Sequence, residues 1–222
     1  MTETPGIPIQ IWHAIKADDV ADVRRLFGEN PEEIDGYTFF GGGTYLHYAA
    51  SHGSVRMIEA MLEIGFALDK PGRLDGELPL NTACGYGRLA LARYLLDRGS
   101  AMDVSLSARN PLIACISGYA NQAEVPDEDF FAIAELLLAR GIDASVSYNS
   151  RTMVDMDATA FAIMWGRRDI ATLIASHLHG DDQVGIEAAL AEAEVVAVGN
   201  ATSRTKFRRE RYPPKPRKSK VG

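Results

Sequence analysis

Apolar positions along the chain recur in short and longer amphipathic stretches. From Val55 to Leu62 the residues Val55, Met57, Ile58, Met61 and Leu62 follow helical spacing, and Leu89, Leu91, Ala92, Leu95 and Leu96 do the same from Leu89 to Leu96. Each of these predicted helices follows a shorter one that stops at Gly53 or Gly87, and each precedes a second glycine, Gly65 or Gly99. Just past a helix end the left-handed conformation is favoured and a Cβ is costly, so left-handed caps are expected at these glycines. Asp18 and Asn30 stand in the same places in the stretch Ile11 to Asn30, and both residue types tolerate that conformation.

The pattern repeats. TYLHYAASHG (Thr44 to Gly53) set above LPLNTACGYG (Leu78 to Gly87) pairs Leu46 with Leu80, His47 with Asn81, Ala49 with Ala83 and Gly53 with Gly87, always 34 apart. The register continues through Leu62 and Leu96, Gly65 and Gly99, and Asp69 and Asp103. A third copy opens at Pro111-Leu112 and ends at LLLARGID, Leu136 to Asp143, with Gly118 to Asp129 inserted between its two helical halves. A degenerate copy runs from Ala158 to Ile174, and Ile11 to Asn30 fits as an opening one, so the repeat covers roughly residues 9 to 178.

The openings Thr44-Tyr45-Leu46-His47-Tyr48-Ala49 and Leu78-Pro79-Leu80-Asn81-Thr82-Ala83 resemble the T-P-L-H-x-A opening of the ankyrin repeat, with Tyr45 where proline is usual and Leu78 where threonine is usual. The resemblance implies an all-α fold: a helical repeat solenoid of about five repeats joined by short hairpin-like turns. The repeats fall near 9–35, 36–69, 70–103, 104–143 and 144–178. It further implies protein binding through the concave face rather than catalysis. In such stacks a polar side chain at the place of His47 and Asn81 ties neighbouring turns, and the place of His52, Tyr86 and Trp165 faces the groove.

Composition changes this picture at one end. The full chain has 23 Lys or Arg and 30 Asp or Glu, a net charge of −7. Nine of the basic residues and one acidic residue lie in 204–222, which leaves 14 basic and 29 acidic residues in 1–203, a net of −15. One more helix, about Gln183 to Val198 within 181–199, is expected to cap the stack. The segment 200–222 reads as a basic, disordered tail containing a PxxP match within Arg211 to Pro216. The N-terminus lacks the basic and apolar regions of a signal peptide, and no apolar run approaches a transmembrane length. With two cysteines only, the expected address is cytoplasmic.

Residues that could carry chemistry have plainer readings. Gly41-Gly42-Gly43-Thr44 lacks the lysine of a phosphate-binding loop, since none lies between Lys16 and Lys70, and reads as a loose connecting turn. His47 matches Asn81, which has no basicity, so it is not expected to act as a base. His177, His179, Asp181 and Asp182 read as helix-end and capping residues rather than ligands. Cys84 and Cys115 fall at small-residue positions and read as buried free thiols. No catalytic residue, metal or cofactor is expected.

The binding surface is expected on the projecting turns and first-helix ends: Tyr37, Phe39, Phe40, His52, Leu74, Asp75, Glu77, Tyr86, Arg109, Tyr119, Tyr148, Arg151 and Trp165. For Phe39, Phe40 and Trp165, packing in the core is an equal alternative. The insertion adds Glu124, Asp127, Glu128 and Asp129, of which Asp127 is also placed to cap a helix starting near Phe130. The expected partner is another protein, steered by the acidic body and so basic. Compact acidic stacks of this size resemble bacterial ankyrin proteins, some of which are immunity partners that occlude a toxic effector. The alternative is an adaptor tethered to nucleic acid through Arg204–Lys220.

Overall fold

Helices begin where the sequence supplies a cap or a proline. In the computed structural model, Pro8 opens α1 (Ile7–Lys16), and the Asp19 side chain accepts from the Asp22 amide at the head of α2 (Val20–Glu29). Thr44 and His47 form a reciprocal capping box at α3 (Tyr45–His52), and Ser54 caps α4 (Val55–Ile64) through the Met57 amide. Pro79 and Pro111 occupy the first turns of α5 (Pro79–Gly85) and α7 (Pro111–Ser117), the latter with Asn110 accepting from the amides of Leu112 and Ile113. The remaining helices are α6 (Leu89–Asp97), α8 (Asp127–Ala139), α9 (Ala158–Met164), α10 (Arg168–His179) and α11 (Gln183–Arg211). The structure describes residues 5–38, 42–119, 126–150 and 153–211, without the side chains of 203–211. Phe39, Phe40, Glu124 and Arg151 lie outside the described residues.

The chain divides into two compact units, Met1–Asp143 and Ala144–Gly222. The first holds four helix pairs. Its first helices pack in the row α1, α3, α5, α7 and its second helices in the row α2, α4, α6, α8, so every pair buries its apolar face against the next. Leu46, Leu80 and Leu112, one from each successive first helix, are fully buried, as are Met57, Ile58 and Met61 of α4 and Leu95 of α6. Burying a side chain of this size is worth about 1.5–3 kcal/mol, which is why the leucine of the repeat opening recurs. Among the described residues the fold is all-helical, with only isolated bridges, Tyr37 to Thr44 and Tyr148 to Met156, in the turns. No described helix is long and apolar enough to cross a membrane.

The second unit packs α9, α10 and α11 together, with Ile170, Ala171, Ile174, Ile186, Ala193 and Ala197 in its core. The final helix does not stop near Val198 but runs to Arg211, so the expected boundary at residue 200 lies inside it. Asn200 is buried there: its amide donates to the carbonyls of Val154 and Val196 and its oxygen accepts from the Val154 amide. Arginine and lysine are good helix formers, so dense charge alone does not end a helix. Residues 212–222 lie outside the described part.

Other expectations need correction. Gly65, Gly87 and Gly99 and also Asp18 have positive φ, but Gly53 does not. Gly53 is extended, at φ −79° and ψ −174°, and is needed because an added Cβ would stand 2.9 Å from the Ala49 carbonyl. Asn30 also has negative φ and closes α2 by donating its side-chain amide to the Leu26 carbonyl. Gly41 lies outside the described residues, but Gly42 and Gly43 are not loose: they accept from the amides of Arg73 and Thr38, and a Cβ on Gly43 would meet His47 at 2.9 Å. Asp127 is the first residue of α8 rather than its cap; Pro126 holds that position without a side-chain hydrogen bond.

Candidate functional site

The turns are tied by one two-handed device built from two different residues. His47 Nδ1 faces the amide and hydroxyl of Thr44 at 3.0 and 2.9 Å, and its Nε2 lies 2.8 Å from the Glu77 carbonyl. The amide can only donate, so Nδ1 is the acceptor and Nε2 carries the proton: the ring is neutral. Burial lowers its pKa to match. Thirty-four residues on, Asn81 Oδ1 accepts from the Leu78 amide at 3.1 Å and Nδ2 donates to the Arg109 carbonyl at 2.5 Å. Both residues fasten their own turn with an acceptor and the next turn with a donor.

Above these ties lies an open groove of about 510 Å³, lined by residues of α1, α3, α5 and the turns. Five rings form a ladder along it. Trp12 stacks on Tyr48 with centroids 5.6 Å apart, and Tyr48 stacks on His52 at 4.6 Å. His52 leans on Tyr86 at 5.9 Å, and Tyr86 meets Tyr119 edge-on at 5.1 Å. Tyr119 can lie this deep because Gly85 stands beneath it: a Cβ there would be 2.4 Å from the ring. The Tyr119 amide is held by the Gly85 carbonyl. Burial pushes the Tyr119 hydroxyl far up and that of Tyr48 up to about 12, so both remain protonated donors.

Carboxylates close the turn side. Glu77 accepts from the Thr82 hydroxyl at 2.7 Å and is hydrogen-bonded by the Tyr119 side chain. Its pKa is nevertheless raised, mainly because burial penalises the charge. Asp75 lines the same groove, and its carbonyl accepts from Arg109 Nε at 3.0 Å.

The structure brings together His52, Asp75, Glu77, Tyr86 and Tyr119 of the expected surface. Arg109 lies beside them, but its guanidinium packs against Gly76 and pairs with Asp103 at 3.6 Å, so it braces the turns. Tyr37 is 37% exposed, with Lys70 and Arg73 over its ring, and Leu74 is 74% exposed at its turn. Asp127, Glu128 and Asp129 form the acidic first turn of α8. Trp165 belongs to the second unit and is exposed rather than core. Tyr148 is buried there beside its bridge to Met156, which removes it from the surface. Sequence comparison missed Trp12 and Tyr48, although Tyr48 stands one helical turn before His52, a spacing that puts both on one face. Neither cysteine is in a disulfide, both are buried, and the Cys115 thiol donates to the Phe130 carbonyl. Among the described residues no cluster of three or more His, Cys, Asp or Glu could hold a metal.

The family model described as ankyrin repeats (three copies) matches residues 11–107 and again 46–147. The chain is 30% identical over 132 residues to ankyrin repeat, SAM and basic leucine zipper domain-containing protein 1 of Ornithorhynchus anatinus, an alignment covering 60% of this chain and 26% of that protein. It is 28% identical over 100 residues to ankyrin repeat and SAM domain-containing protein 6 of Rattus norvegicus, covering 45% of this chain and 11% of that one. The chain therefore spans about a quarter and about a tenth of these relatives' lengths.

Proposed function

The chain belongs to the ankyrin-repeat family, whose repeats generally mediate protein–protein interaction, and on that premise we propose that it is a non-catalytic module gripping a basic partner protein in the groove of its first unit. One observation carries the reading: the ladder Trp12, Tyr48, His52, Tyr86 and Tyr119 lines an open groove beside Asp75 and Glu77. Aromatic side chains bury much area at modest entropic cost, which suits them to anchor an interface. A net charge of −15 over residues 1–203 steers a cationic surface towards it.

Affinity capture from a lysate of the organism that makes the protein tests this, using the full chain and a His52→Ala/Tyr86→Ala variant of unchanged melting temperature. A partner held by the parent chain and lost by the variant supports the groove. Equal recovery by both overturns it. The narrower reading, an immunity partner that occludes a toxic effector, rests on the acidic charge and on analogy. It requires that the captured protein arrest growth when expressed alone and that co-expression of this chain restore it; the variant should not.

The nine basic residues of 204–222 favour a second reading, tethering to nucleic acid through Arg204–Lys220. It requires DNA or RNA binding that weakens steeply with salt and disappears when 204–222 is deleted. Absence of binding by the full chain at low salt removes it.

A further inference from the structure

Charge is not spread evenly along the groove. Lys16 and Arg88 lie on the His52 side, and Lys16 Nζ sits 5.0 Å over the Trp12 ring. Asp75 and Glu77 stand on the turn side, with Tyr86 and Tyr119 also lining the groove. A cation entering the groove is repelled from one rim and drawn to the other.

Spare hydrogen-bonding capacity lies where that cation would settle. An ionised carboxylate offers about four lone-pair sites, and Thr82 and Tyr119 occupy two of those on Glu77. Asp75, exposed in the same groove, accepts from the Glu77 amide at 3.2 Å and sets a second carboxylate beside the first. The rings of Trp12, Tyr48 and His52 lie within 28° and 26° of parallel and cover one another's faces, whereas Tyr86 and Tyr119 meet edge-on at 64° and are not stacked face to face.

We propose that this groove seats the guanidinium of an arginine carried by an extended segment of the partner, with Glu77 and Asp75 as counter-charge and Tyr86 and Tyr119 as stacking surface. The assignment rests on the protein-binding reading above and deepens it. A guanidinium is planar, stacks on aromatic faces and presents five donors in a fixed fork, so it serves two carboxylates while lying against a ring. A lysine ammonium is a compact, strongly hydrated point charge that gains less from an aromatic face.

The test titrates the full chain with acetyl-Ala-Arg-Ala-amide and with two matched peptides carrying citrulline or lysine instead. Trp165→Phe leaves Trp12 as the sole tryptophan, since the chain has two, and its emission reads occupancy. The arginine peptide should bind at least about 10-fold more tightly than the citrulline peptide, the usual worth of a charged hydrogen bond, and a few-fold more tightly than the lysine one. Glu77→Gln should weaken it by about 10-fold without lowering the melting temperature, because the substitution removes a charge that burial already penalises. Equal binding of the arginine and citrulline peptides, indifference to Glu77→Gln, or no binding up to tens of millimolar overturns the assignment. A natural partner lost by His52→Ala/Tyr86→Ala but kept by Glu77→Gln overturns it too, while leaving the protein-binding reading standing.

Discussion

The two rows of helices in the first unit treat charge in opposite ways. Along the second-helix row three arginines are answered from the neighbouring repeat: Arg24 pairs with Glu63, Arg98 with Glu59 and Arg140 with Asp97. Even Tyr94, whose hydroxyl is buried without a partner on that side, lies under Arg98 at 4.9 Å. Above the turn ties the groove carboxylates are met by neutral donors instead: Glu77 by the Thr82 hydroxyl and Asp75 by the Glu77 amide, with no ion pair to either among the described residues. Charge that closes on itself holds repeats in register. Carboxylates without a paired cation beside groove-lining rings are suited to a ligand.

Substitutions can break that contrast. The largest effect is expected beneath the groove. Asn81→Leu strands the Leu78 amide and the Arg109 carbonyl and should cost about 2–4 kcal/mol, read by urea denaturation; a loss below half a kcal/mol would deny the tie its role. Next comes Gly85→Ala, which drives a methyl into the Tyr119 ring and should cost about 1–3 kcal/mol while abolishing partner capture. Retained capture would show that Tyr119 is not part of the surface.

A smaller effect follows from proton linkage at His47. The fold holds the ring neutral and its pKa below the usual value near 6.5, so the unfolded chain binds more protons just below that pH. Stability should therefore fall as pH drops from about 6.5 towards the lowered folded value. The groups facing this ring are Thr44, Asp75 and the Glu77 backbone; His52, also lowered by burial, adds a slope of the same sign. His47→Asn, the residue its neighbour uses, should flatten the dependence between pH 5 and 7 in denaturation curves. An unchanged slope would place its source elsewhere. The smallest effect belongs to the opposite row: Arg24→Ala removes a half-exposed pair and should change stability by under about 1 kcal/mol and capture not at all.

Much of the scaffold was legible because the repeat compares the chain with itself. Leu46 and Leu80 announce a shared core position, and the pairing of His47 with Asn81 points to hydrogen bonding rather than basicity. The same comparison concealed Tyr48, because its counterpart is Thr82, which turns its hydroxyl to Glu77 instead of offering a ring. Identical letters also diverged: Gly87 takes φ +63° while Gly53 stays extended, since glycine permits both and only the packing around Ala49 and Met57 decides. At α11 the composition changed at Asn200 but the backbone did not, because that side chain secures the helix to Val154.

The tie between turns has a consequence for which sequences can occupy the fold. It works as a plug and socket in one side chain, asking for an acceptor at one end and a donor at the other, held about 3 Å from fixed backbone groups. Aspartate would offer two sockets, lysine only plugs, and a doubly protonated histidine likewise only plugs. The vocabulary at positions 47 and 81 therefore shrinks to neutral histidine and the side-chain amides, whatever the groove above them comes to hold.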